Sequence, residues 1–151
     1  MNTIKLDIKS IEGDAEQCRS GMPIWGKIYL ETNDCIFPSK DWYDAVSSIL
    51  DMWLSVMVDF VRMGGNSCEL YFIDGPYKIR IDRVSGGEIS VAMFNASKKV
   101  AINTCCFNDF LETLLNSADT FCHLCNEKKL SFTYSKTYSK IEANRKLLKD
   151  M

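Results

Sequence analysis

Residues 33–65, NDCIFPSKDWYDAVSSILDMWLSVMVDFVRMGG, decide the fold. Pro38 followed by Ser39 is a helix-start signal, because a serine hydroxyl at the N-cap accepts a bond from a first-turn amide. Asp41 then falls in the first turn, where the positive end of the helix dipole favours its charge. Trp42, Val46, Ile49, Leu50, Trp53, Met57, Phe60 and Val61 recur at steps of three and four residues and so share one face. Gly64-Gly65 ends the run, since glycine accepts the left-handed backbone that closes a helix. The spacing predicts one long amphipathic helix over about residues 39–63.

Outward from this helix the period changes to two. Ile4, Leu6 and Ile8 alternate with Lys5, Asp7 and Lys9, and residues 24–32 alternate likewise, so each stretch reads as a half-buried strand. Residues 12–22, polar and with Gly13 and Gly21, read as a loop, and Asn33-Asp34 as a turn. Beyond the helix, residues 67–73 and 77–83 flank Asp74-Gly75-Pro76 as a hairpin. Ser85-Gly86-Gly87 turns into a strand at 88–94, and 99–105 adds another, making an antiparallel meander. A second helix is expected after Asn108 as cap, carrying Leu111, Leu114, Leu115, Ala118, Phe121, Cys122 and Cys125 at helical spacing. A short strand at 130–134 and a Lys-rich helical tail at 136–151 complete the order. The expected class is α+β: a mostly antiparallel sheet, with the long helix and the C-terminal helices packed on it, in a single domain spanning 1–151.

Composition narrows the function. The chain is 46% apolar and 25% charged, ordinary for a soluble globular protein. A net charge of −2 and a pI of 5.4 argue against a dedicated nucleic-acid binder, whose Lys and Arg gather on one face. Asp51 and Asp59 interrupt the longest apolar stretches, so no membrane span is expected. Neither is a secretion signal, for the start of the chain alternates polar and apolar residues. Seven cysteines, an odd set, then suggest reduced thiols in a cytoplasm, several of them small core residues.

Catalytic chemistry finds little support. Cys122-His123-Leu124-Cys125 has the spacing of a zinc half-site that Cys105-Cys106 would complete. Yet Cys122 and Cys125 continue an apolar helix stripe, and adjacent strand cysteines point to opposite faces. Neither Gly64-Gly65 nor Gly86-Gly87 opens a helix, so neither forms a phosphate loop. His123 is the only histidine, and no Gly-x-Ser-x-Gly turn accompanies it. No cofactor, metal or catalytic residue is assigned.

The carboxylates remain. On the predicted helix, Asp41, Asp44, Asp51 and Asp59 step along the face opposite the tryptophans, with Ser48 and Ser55 between them. No lysine or arginine offsets them from Asp41 until Arg62, although i,i+4 pairs are the cheap way to stabilise such a face. A solvated outer face is the plain account; a surface that steers a basic protein partner is the functional one. Glu69, Asp74 and Asp82 in the hairpin extend the negative field, and Tyr71, Tyr77, Tyr134 and Tyr138 are candidate contact anchors.

The order IWGKIYLET, FPSKDWYDAVSSILDMWL, ELYFIDGPYKIRI resembles small bacterial immunity-type proteins of contact-dependent growth inhibition and other polymorphic toxin systems. The resemblance rests on an F-P-x3-W helix start and a D-G-P-Y hairpin: Phe37, Pro38, Trp42, Trp53, Leu70, Phe72, Asp74, Gly75, Pro76 and Tyr77. It covers about half the chain, from Ile24 to Ile81. It implies a cytoplasmic protein that occludes the active site of a cognate toxin C-terminal domain, such as a nuclease. The contact residues expected are Asp41, Asp44, Asp51, Asp59, Glu69, Asp74 and Tyr77. The competing readings are a small zinc- or thiol-dependent enzyme using Cys105, Cys106, Cys122 and Cys125, and a regulatory binding module with no toxin partner.

Overall fold

The computed structural model describes residues 3–12 and 22–151. The expected loop at 12–22 lies almost wholly outside them, as does Cys18. The order is β1 (Ile4–Ile11), β2 (Trp25–Thr32), β3 (Ile36–Phe37), β4 (Tyr43–Ala45), α1 (Val46–Met63), β5 (Ser67–Tyr71), β6 (Tyr77–Arg83), β7 (Glu88–Asn95), β8 (Lys98–Cys106), α2 (Phe107–Glu127), a 3-10 turn (Ser131–Tyr134) and α3 (Lys136–Asp150). The architecture is α+β with antiparallel pairing, as the periodicities predict, but the strands form two four-stranded sheets instead of one.

In the first sheet β2 is central. β1 runs along one side, from Ile4↔Thr32 to Ile11↔Gly26. Two short strands share the other side: β3 takes Leu30 and Glu31, and β4 takes Trp25, Gly26 and Lys27. This sharing corrects the predicted start of the long helix. Residues 39–42 turn, with Asp41 at φ 62°, and 43–45 are extended. α1 therefore begins six residues later than a cap at Ser39 would set it, and Ser39 is no cap. The cause is tertiary. The Trp25–Lys27 edge needs a partner, and the hydrogen bonds of β4 outweigh a local helix signal.

β5, β6, β7 and β8 follow as a meander, with Leu70, Ile79, Ile81, Ile89, Val91 and Met93 turned inward. α1 lies at the centre of the molecule. Ile49, Leu50, Trp53, Leu54 and Met57 have no exposed surface. The helix packs against β5 and β2 and is flanked by α3 and α2. Gly64, at φ 63°, closes it in the left-handed conformation that the double glycine predicts.

Two other expectations shift. α2 starts at Phe107 with Cys106 as cap, so Asn108 sits inside the first turn beside Asp109. The expected strand at 130–134 is a single 3-10 turn, in which Phe132 is buried. The tail is helical, as its composition predicts, and Ser135 caps α3 by accepting the Tyr138 N–H. No helix of the described residues is long and apolar enough to cross a membrane.

Candidate functional site

Strand alternation sets the chemistry of the corner where the sheets meet. In β4 it turns Tyr43 outward and Asp44 inward, and Asp44 has no exposed surface. Its carboxylate accepts the Trp42 indole N–H at 2.9 Å, the Ala45 N–H at 2.7 Å, the Ile73 N–H at 3.2 Å and the Asp74 N–H at 3.0 Å. Four donors satisfy a buried carboxylate without any cation. Aromatic rings close over this hub, edge to face: Trp42 on Tyr77 at 5.1 Å, Phe37 on Tyr77 and on Phe72 at 5.7 Å, and Trp53 on Phe72 at 5.3 Å. The Trp53 indole donates to the Tyr71 carbonyl at 2.8 Å. The F-P-x3-W and D-G-P-Y segments, distant in sequence, thus form one joint that locks the β5–β6 hairpin onto the first sheet.

The predicted acidic stripe does not exist as a single face. Asp41 lies in the turn before β4 and is exposed; Asp44 is withdrawn into the hub and is no contact residue. Asp51 is half-buried and 3.3 Å from Lys140 of α3, which offsets the stripe from another element. Asp59 is exposed on α1. Glu69 receives Lys78 at 2.6 Å and the Tyr71 hydroxyl at 3.2 Å; the Lys78 hydrogen bond foremost holds its carboxyl below the usual range. Asp74 gives its backbone N–H to Asp44 and keeps its side chain exposed at the hairpin turn. Tyr77 is half-buried between Phe37 and Trp42, and Tyr138 is buried, hydrogen-bonded to Asn126. The side chain of Tyr134 lies outside the described residues.

The structure therefore gathers Asp41, Asp74 and Tyr77 around buried Asp44, and leaves Asp51 and Asp59 elsewhere on α1. Tyr71 and Ile73, 45% and 43% exposed, stand on the same hairpin and add apolar contact area. None of the ion pairs among the described residues involves Asp41, Asp59 or Asp74. Two signals in the sequence bear on this arrangement: Asp44 follows Trp42 by two residues, and the Lys-rich tail carries Lys140, the cation that offsets Asp51.

Cys105, Cys106, Cys122 and Cys125 belong to β8 and α2, outside this corner. Cys122 and Cys125 are buried on the inward face of α2, whereas His123 is exposed and 3.4 Å from Glu127. Cys105 faces the core and Cys106 faces out, as the strand alternation predicts. Burial pushes the Cys68 thiol up to about 12 and Cys105 to about 11, and raises Cys122. Thiols so held stay protonated near neutral pH and make poor nucleophiles and ligands. Among the described residues no group of three or more His, Cys, Asp and Glu is placed to hold a metal ion.

A groove of about 520 Å³ runs between β1 and α2, lined by Lys5, Leu6, Asp109, Glu112, Thr113 and Asn116 among others. Its floor is closed by α2: the Thr113 hydroxyl accepts the Leu6 N–H at 2.9 Å, and the Ser117 hydroxyl donates to the Leu6 carbonyl. Those two bonds satisfy the outer edge of β1 at Leu6 with side chains instead of a strand. Comparison with protein-family models, curated proteins and solved structures finds no match to this chain.

Proposed function

We propose that this protein acts by binding, as an immunity protein that neutralises the toxin domain of a bacterial growth-inhibition system. The surface assigned to the contact is the corner carrying Asp41, Asp74, Tyr77, Tyr71 and Ile73. The observation that carries the reading is a pair of exposed carboxylates with no ion-pair partner among the described residues, held beside the hydrogen-bonded Asp44 hub. Asp41 precedes the Trp42–Asp44 unit, and Asp74 is anchored to that unit through its own N–H. Charges fixed in this way lose little freedom on association, and they complement a basic cleft of the kind that binds nucleic-acid phosphates. Tyrosine and isoleucine beside them add desolvated contact area that slows dissociation. The F-P-x3-W and D-G-P-Y resemblance supports the same reading, although its residues build the joint and locate no partner.

Co-expression with candidate toxin domains, taken from any neighbouring gene that encodes one, tests the proposal. Growth rescue and a co-purifying complex are expected, with Asp41→Lys and Asp74→Lys together weakening the complex while leaving the fold intact. Absence of both rescue and complex counts against the proposal.

A further inference from the structure

The groove between β1 and α2 has walls of matching length: Thr3 to Ile8 on the strand, Asp109 to Thr120 on the helix. Five steps of a strand cover ~17 Å, and eleven steps of a helix cover ~16 Å. A volume of about 520 Å³ spread over that length leaves a cross-section of roughly 30 Å². That is room for a single extended chain of about five residues, and not for a compact ligand.

The walls supply the chemistry. Leu6 donates its N–H to Thr113 and accepts the Ser117 hydroxyl at its C=O, so its backbone faces α2. The alternation of an antiparallel ladder turns the backbone groups of Ile4 and Ile8 the same way. Among the described residues, no hydrogen bond from outside the sheet reaches either of them. On the facing wall Asp109 and Glu112 are exposed, and neither belongs to an ion pair among the described residues. The helix dipole accounts for Asp109 in the first turn, but its influence fades before Glu112. On β1, by contrast, Lys5 and Lys9 offset Asp7 at 3.8 and 3.1 Å. The unmatched negative charge therefore lies at the end of the groove nearest the start of α2, and Asn116 and Thr120 continue that wall.

We infer that this groove binds an extended segment of another protein, about five residues long, with a lysine or arginine set against Asp109 and Glu112. Length and narrowness select an extended chain, and the unpaired carboxylates select a basic one. The backbone N–H groups of Ile4 and Ile8 favour a peptide over a polyamine, which has no carbonyl to offer them. Thr113 and Ser117 occupy the strand edge at Leu6, so the segment docks along the groove and does not extend the sheet. The inference goes beyond the proposed function, because β1 lies on the opposite side of β2 from β4 and the Asp44 hub.

A display library of random short peptides, panned on the purified chain, tests it. Selected peptides are expected to share a lysine or arginine at one position, and a synthetic copy should bind in calorimetry. Asp109→Asn with Glu112→Lys should weaken that binding about tenfold or more. Thr120→Arg, which fills the groove from an exposed site, should do the same, with circular dichroism unchanged. Asp41→Lys with Asp74→Lys should leave the peptide affinity as it was, which separates the groove from the corner of the proposed function. No selected peptide, or peptides with no shared basic position, overturn the inference. So does binding indifferent to the α2 substitutions. Spermidine binding as tightly as the peptide overturns it too, since a cation alone would then suffice.

Discussion

The carboxylate of Asp44 accepts the backbone N–H of Asp74 at 3.0 Å, across thirty residues of chain. That bond is one of those that join the two sheets, with the Ile73 N–H and the Phe37 and Trp42 ring contacts, around an Asp44 withdrawn from the surface. It also sets the position of Asp74, whose side chain stays free to meet a partner. The same hub binds the Ile73 N–H and the Trp42 indole, so a substitution at Asp44 loosens the hairpin and the β4 turn together.

Asp44→Asn is expected to destabilise the fold by about 3 kcal/mol. The amide nitrogen of Asn would face backbone donors and leave at least one buried N–H unpaired. Urea unfolding checks this, and Asp41→Asn, at an exposed site in the same turn, should shift the midpoint little. Equal losses at both positions would contradict the hub.

Gly26 pairs with Ile11 near the start of β2, and a Cβ placed there would sit 2.1 Å from the Ser10 carbonyl oxygen. The obstacle is backbone, which cannot rotate aside. Gly26→Ala should therefore cost at least ~2 kcal/mol, or displace β1. Thermal unfolding measures the loss. Gly65→Ala, where a Cβ meets nothing within 4 Å, is the matched control.

Stability should fall in alkali. Burial holds the Cys68 thiol at about 12 and Cys105 at about 11. In an unfolded chain a thiol ionises near about pH 8.5. Above that pH the unfolded chain releases protons that the folded chain retains, so unfolding gains ground as pH rises toward 11. Denaturant midpoints taken from about pH 8 to about pH 10.5 should decline steadily, and less steeply in Cys68→Ala. At neutral pH, mass-spectrometric mapping of alkylation should find exposed Cys106 modified before Cys105 and Cys122.

Acid should release α3 first. Burial raises the Asp119 carboxyl, but hydrogen bonds from Arg145 and Lys149 outweigh it and hold the group below its ordinary value. A depressed carboxylate stabilises the fold above its unfolded pKa and loses that contribution as pH falls through the folded value. Hydrogen exchange at about pH 3 should therefore show α3 amides opening before those of β6 and β7. Arg145→Met should open α3 already at neutral pH. Unchanged exchange in that variant would show that the helix is held by Tyr138, Ile141 and Leu148 alone.

Local pattern was enough for most elements. The alternation of Ile4, Leu6 and Ile8, the steps of Ile49, Leu50, Trp53 and Met57, and the Asp74-Gly75-Pro76 turn each report a single segment's burial, and segments bury one face whatever their neighbours. The class, the meander and the end of α1 at Gly64 followed from these alone. The start of α1 did not, since Ser39 and Asp41 look like a first turn until β2 is seen to lack a partner at Trp25–Lys27. Nor did the division into two sheets, which depends on which strand edges meet.

The candidate site divides in the same way. Which carboxylates the chain possesses is written in its residues, but their exposure belongs to the assembled fold. Asp44 is buried because strand alternation aims it at the backbone N–H groups of a hairpin about thirty positions away. Asp51 is neutralised because α3 returns Lys140 to α1 across a sequence separation of 89. Hydrogen bonds and ion pairs of that reach carry no periodicity along the chain, so only the tertiary structure could show which charges face outward.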